Sequence, residues 1–166
     1  MKLSYDRYFR TQLFNDIRKD PNELNKLRTF RQFKTVIKYE PSLNSNLPRA
    51  MISDYTKLHI SAHKLNIETA RYIKAPVAQR TQQKLLARRC TNFDLMKDED
   101  EKHFLLECPK YNTIRQEFLE NIFSQCKNTK SLKLDQLLLW LMSNEEFSIT
   151  TRTIKFLSEC VRLRNQ

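Results

Sequence analysis

Three observations predict a mainly α fold. Apolar residues recur three and four apart along most of the chain. No stretch shows the two-residue alternation of a half-buried strand. Proline, asparagine and serine collect between the periodic segments. With 166 residues, 40% of them apolar and 30% charged, the chain can build one modest core. The prediction is a small helical domain, to which the Cys90, His103 and Cys108 residue types add a degenerate zinc-knuckle-like turn.

A first helix is expected over Tyr5 to Lys19, where Tyr5, Phe9, Leu13 and Ile17 stand four apart with Tyr8 beside them. Asp20 before Pro21 has the form of an N-cap followed by proline at N1, which opens a second helix. There Leu24, Leu27, Phe30, Phe33 and Ile37 make an apolar stripe, and Arg28, Arg31, Lys34 and Lys38 a basic one. The run "EPSLNSNLP" at 40–48 is a loop. A third helix follows Pro48 and turns Met51, Tyr55, Leu58, Ala62 and Leu65 to one side. His59 and His63 are four apart on it, but no Glu adjoins His59, so the pair is read as a surface residue and a packed or hydrogen-bonding one.

The run "ARYIKAPVAQRTQQKLLARR" at 70–89 is a basic connector with a short helical piece, carrying Arg71, Lys74, Arg80, Lys84, Arg88 and Arg89. Pro109 opens a helix reaching about Phe123, with Tyr111, Ile114, Phe118 and Ile122 inward. Two further helices, near Leu132–Met142 and Ile149–Leu163, close the chain, with Cys126 as a loop thiol and Cys160 as core filler. The organisation expected is a basic helical region at 1–89, a degenerate CCHC zinc-knuckle-like segment with its following helix at 90–123, and a C-terminal helical hairpin at 124–166, together one compact unit.

Charge separates these regions. Residues 1–90 carry 19 Lys/Arg against 7 Asp/Glu, whereas residues 91–166 carry 11 against 12. Contact with a polyanion is therefore expected in the first half. Glycine is absent altogether. That excludes phosphate loops and dinucleotide fingerprints, and leaves asparagine to take any left-handed turn. No small-molecule substrate is expected. The N-terminus "MKLSYDRYFRTQLF" lacks an apolar signal core, so an intracellular chain with reduced thiols is expected, in cytoplasm or nucleus. The longest apolar run, "LLLWLM" at 137–142, is far short of the roughly 20 residues a membrane helix needs, so no membrane partner is expected.

The chemistry-bearing stretch is "CTNFDLMKDEDEKHFLLECPKY" at 90–111. Cys90, His103 and Cys108 are of the types that bind zinc, His103 and Cys108 being paired on a short turn, with "DEDE" at 98–101 as a solvated acidic tip. Phe93 occupies the position where a second thiolate of a Cys-x2-Cys turn would sit.

This run resembles the cysteine and histidine cluster in the C-terminal region of reverse transcriptases from non-LTR (LINE-type) retrotransposons. The resemblance extends to "LRTFRQFK" at 27–34, "ISAHKLNIETARYIK" at 60–74, "LLWLMSN" at 138–144 and "IKFLSECVRLR" at 154–164. It implies a non-catalytic nucleic-acid-binding tail with structural zinc, engaging RNA or DNA. Cys90, His103 and Cys108 match ligands of that cluster. The departures are Phe93, Ala70 in place of a glycine, and a longer connector at 79–89. Polymerisation needs paired aspartates for two metal ions, and no Asp-Asp pair occurs in the chain, so no enzymatic activity is expected.

The functional expectation is phosphate contact through Arg28, Arg31, Lys34, Lys38, Arg71, Lys74, Arg80, Lys84, Arg88 and Arg89, with Tyr72 placed to stack on an unpaired base. Zinc is the implied cofactor, weakened or lost. Either water or His63 fills the fourth place, or Phe93 plugs the vacated space. The alternative is a helical protein-interaction module presenting "LLLWLM", or a decayed retroelement fragment.

Overall fold

The computed structural model describes residues 46–74, 76–92 and 96–166. The two helices expected before residue 40, and the basic stripe of Arg28, Arg31, Lys34 and Lys38, lie outside the described residues. Those that are described form a small mainly α domain whose only strand-like pairing is an isolated antiparallel bridge between Arg89 and Asp98.

Helix α1, Arg49–His59, follows Pro48, whose carbonyl accepts from the Met51 and Ile52 N–H groups. It stops sooner than its apolar spacing suggests. Ser61 takes a left-handed conformation (φ 52°), its N–H bonds the Leu58 carbonyl, and the Ala62 N–H reaches back to Lys57 at 2.8 Å. This is a Schellman end with serine in the place usually given to glycine. Leu65 still reaches the core, from beyond the break, while Ala62 faces solvent.

A short α2, Asn66–Thr69, runs into a 3₁₀ turn, Ala70–Tyr72, and then into α3, Val77–Ala87. A π-helical turn, His103–Glu107, and a 3₁₀ turn, Pro109–Tyr111, lead into α4, Asn112–Gln125. After the 3₁₀ turn Lys127–Ser131 come α5, Leu134–Ser143, and α6, Phe147–Arg164.

Helix α6 is the axis of the core. It packs against α1, α4 and α5, and buries Ile149, Ile154, Phe156, Leu157 and Cys160 along one face. Phe118 of α4 stacks on Phe156 with ring centroids 4.3 Å apart, and Phe104 meets Tyr111 edge to face at 5.0 Å. One buried cluster joins Tyr55, Leu58 and Leu65 with Cys90, Cys108, Leu141 and Cys160, so the segments 46–89, 90–123 and 124–166 share a core. Burial also withdraws the "LLLWLM" surface: Leu137, Leu138, Leu141 and Met142 face inward, leaving only Leu139 well exposed, beside a half-buried Trp140. Among the described residues no helix is long and apolar enough to cross a membrane.

Candidate metal centre and the neighbouring basic groove

Cys90 sits at the base of a hairpin. Its N–H donates to the Lys97 carbonyl at 2.8 Å, and the Glu99 N–H donates to the Arg88 carbonyl at 2.7 Å. Met96 closes this loop with φ 48°. Left-handed positions in the described chain thus fall to Ser61 and Met96 rather than to the asparagines expected. Phe93 lies outside the described residues.

The other two ligating residues come from the turn that follows. The Asp100 carboxylate accepts the His103 N–H at 2.7 Å, as an N-cap does, and starts a helical turn at Glu101. In an ideal α-helix, residues five apart point about 140° away from each other. Here the turn is π-helical, and the Cys108 N–H bonds the His103 carbonyl at 2.7 Å. The wider winding brings both side chains to one side, which is how a His-x4-Cys spacing can serve one centre.

Together Cys90 Sγ, Cys108 Sγ and a ring nitrogen of His103 lie within 4.8 Å of one another. The two sulfurs are 3.9 Å apart. That is too long for a disulfide, but close to the roughly 3.8 Å edge of a tetrahedron with 2.3 Å zinc–sulfur bonds. All three residues are buried, His103 to 2% exposure, and neither of its ring nitrogens has a hydrogen-bond partner among the described residues. Its Nδ1 is 3.7 Å from the Glu107 carboxylate, an ion-pair distance but not a hydrogen bond. Leaving a buried polar nitrogen unsatisfied costs about 1–3 kcal/mol, and a metal ion on one of the two would remove that nitrogen's share. The residues therefore fit a metal. Burial pushes the Cys108 thiol up to about 11, with Cys90 adding to the shift.

Two arginines that sequence reasoning passed over secure this centre. Arg115 occupies the apolar face of α4 between Tyr111 and Phe118, 5% exposed, and donates to the Cys108 carbonyl and to Asn112 Oδ1. Burial lowers its guanidinium from the usual arginine range. Arg164, at the end of α6, grips Glu99 through Nε at 2.8 Å and Nη2 at 2.7 Å. Glu99 also accepts the Asn66 N–H, and the Asn66 side chain donates to the Arg89 carbonyl at 2.7 Å. The acidic segment is thus no solvated tip, since Glu99 and Glu101 are 2% and 4% exposed. The four-residue spacing of Tyr111, Arg115 and Leu119 is a signal that could have drawn attention to Arg115; Arg164 offers none.

A second group, His63, Glu68 and Glu101, also has metal-ligating atoms close together. His63 Nδ1 accepts the Leu65 N–H at 3.3 Å, which places the ring proton of the neutral imidazole on Nε2, facing Glu101 Oε1 at 2.9 Å. The group is accordingly a hydrogen-bonded pair beside the Glu68–Arg71 ion pair. His63 is not grouped with the cysteine cluster and does not supply its fourth ligand. His59, read as one of a surface and a packed pair with His63, is buried against Tyr55, so neither histidine is a surface residue.

The connector cations divide. Arg71, Lys74, Arg80 and Lys84 line one open groove between the 3₁₀ turn and α3, together with Tyr72. Arg71 is tied to Glu68 at 3.2 Å. Arg88 and Arg89 are half-buried at the hairpin, where the Arg88 carbonyl accepts the Glu99 N–H and the Arg89 carbonyl accepts from the Asn66 side chain. Helix α3 buries no residue, and Val77, Leu85 and Leu86 are exposed on it, an apolar surface the sequence reading did not pick out.

Comparison with protein-family models, curated proteins and solved structures finds no match.

Proposed function

We propose that the chain is a non-catalytic nucleic-acid-binding module of the kind found in the C-terminal region of non-LTR retrotransposon reverse transcriptases. In this reading Cys90, His103 and Cys108 hold a zinc ion that fixes the hairpin, and the adjoining groove contacts phosphates. The observation that carries it is the gathering of Lys74, Arg80 and Lys84 with Arg71 around one open groove. Phosphate binding by cations releases counterions, with a logarithmic salt slope of about −0.7 per phosphate on a single strand. Three groove cations alone then give a slope of about −2. Titration of a labelled oligoribonucleotide at rising salt is the test, and salt-independent affinity would rule the reading out. Zinc, when bound, supplies no chemistry here beyond cross-linking the hairpin to the π turn.

The exposed Leu85 and Leu86, neighbours on α3, favour a second reading, a helical protein-interaction module. A stable protein partner on that face, with no affinity for nucleic acid, would select it.

A further inference from the structure

We infer that the groove between the Ala70–Tyr72 turn and α3 takes a single strand, with an unpaired base on the Tyr72 ring, in preference to a duplex. The inference rests on the nucleic-acid reading above and adds the strand class and the residue that selects it.

Tyr72 is 65% exposed, yet the turn that carries it is firmly held. Ala70 is 1% exposed, and Arg71 is pinned to Glu68, itself 3% exposed, at 3.2 Å. The Ile73 N–H closes the turn on the Ala70 carbonyl. A ring presented from an ordered turn loses little freedom when a ligand stacks on it. An isolated exposed tyrosine would mean nothing. This one lies in the same groove as cations from both walls, Lys74 from its own segment and Arg80 and Lys84 from α3.

Arg80 and Lys84 are four residues apart on α3, about 6 Å along the helix axis, the scale of one nucleotide step along an extended backbone. Phosphates on the α3 wall would leave the bases facing the Tyr72 wall. A single strand can turn a base onto that ring, whereas a duplex keeps its base faces stacked inside and offers the groove only its backbone. Sequence preference is weak in such a mode, because every base has a face to stack.

The test compares an oligoadenylate, its duplex with the complementary strand, and an abasic strand of equal length. Native protein and Tyr72→Ala, Tyr72→Trp and Lys74→Ala/Lys84→Ala variants are titrated with each. Tyr72→Ala is expected to weaken oligoadenylate binding about 5- to 100-fold and to leave the duplex and abasic strand unchanged. Tyr72→Trp is expected to retain native affinity, and the lysine variant to weaken all three ligands. If the lysine variant weakens all three but Tyr72→Ala weakens none, strand selectivity is overturned and phosphate binding stands. If the native chain binds none of the three, both are overturned.

Discussion

The buried centre and the basic groove are joined by a few residues of chain and are built on opposite terms. Around Cys90, His103 and Cys108 the charged or polar side chains of Glu99, Glu101, His103 and Arg115 are buried, and Arg115, Arg164, Glu99 and Asn66 lock the backbone in place. Helix α3, which ends three residues before Cys90, buries nothing. The difference teaches where each kind of function can live. Enclosure gives rigid ligand geometry and makes any change costly, while exposure leaves cations and a ring available to a partner and makes change cheap. Both walls of the groove also leave from the locked region, one through Asn66 and the other through Arg88 and Arg89.

Removing one charge from each region separates the two most strongly. Arg164→Met strands the Glu99 carboxylate in the interior and should cost about 3–5 kcal/mol of folding stability, read by urea unfolding. Lys84→Ala on α3 should change stability by less than about 0.5 kcal/mol in the same assay. Similar losses from the two would erase the distinction.

A second effect follows from the Cys108 thiol, raised to about 11 by burial. The metal-free thiol is protonated through neutral pH, and zinc must displace that proton. Zinc affinity should therefore rise by up to tenfold per pH unit between pH 6 and 8 on account of this group, about 1.4 kcal/mol per unit. An affinity indifferent to pH would mean that the metal is not on this sulfur. The smallest effect belongs to the residue just before Lys97. Met96 is 70% exposed with φ 48°, so Met96→Gly relieves left-handed strain without losing packing, and should stabilise the chain by about 0.5–1 kcal/mol.

What the sequence disclosed and what it hid divide along similar lines. Helices α4, α5 and α6 begin and end within a few residues of the periodic patterns that forecast them, because each has an apolar face buried against a neighbour. Helix α1 ends early because a serine adopts the conformation that glycine normally marks, and a chain without glycine gives no such sign. The cysteine and histidine residues were found from their types and order. Their convergence depends on a π turn, which no residue spacing announces. Glu99 looked like a surface acid because its partner, Arg164, is 65 residues away. The connector sequence marks its cations alike, and only packing separates Lys74, Arg80 and Lys84 from Arg88 and Arg89.

The central proposal is that Cys90, His103 and Cys108, brought together by the hairpin and the π turn, hold a metal ion with three protein ligands, Phe93 standing in sequence where the resemblance implies a second thiolate. Zinc titration of the reduced, metal-free chain, beside Phe93→Cys and Cys108→Ser, tests it most directly. One zinc per chain is predicted for the native protein, bound at least tenfold more tightly by Phe93→Cys and lost in Cys108→Ser. No uptake by the native chain, or equal affinity in the native protein and either variant, would contradict it.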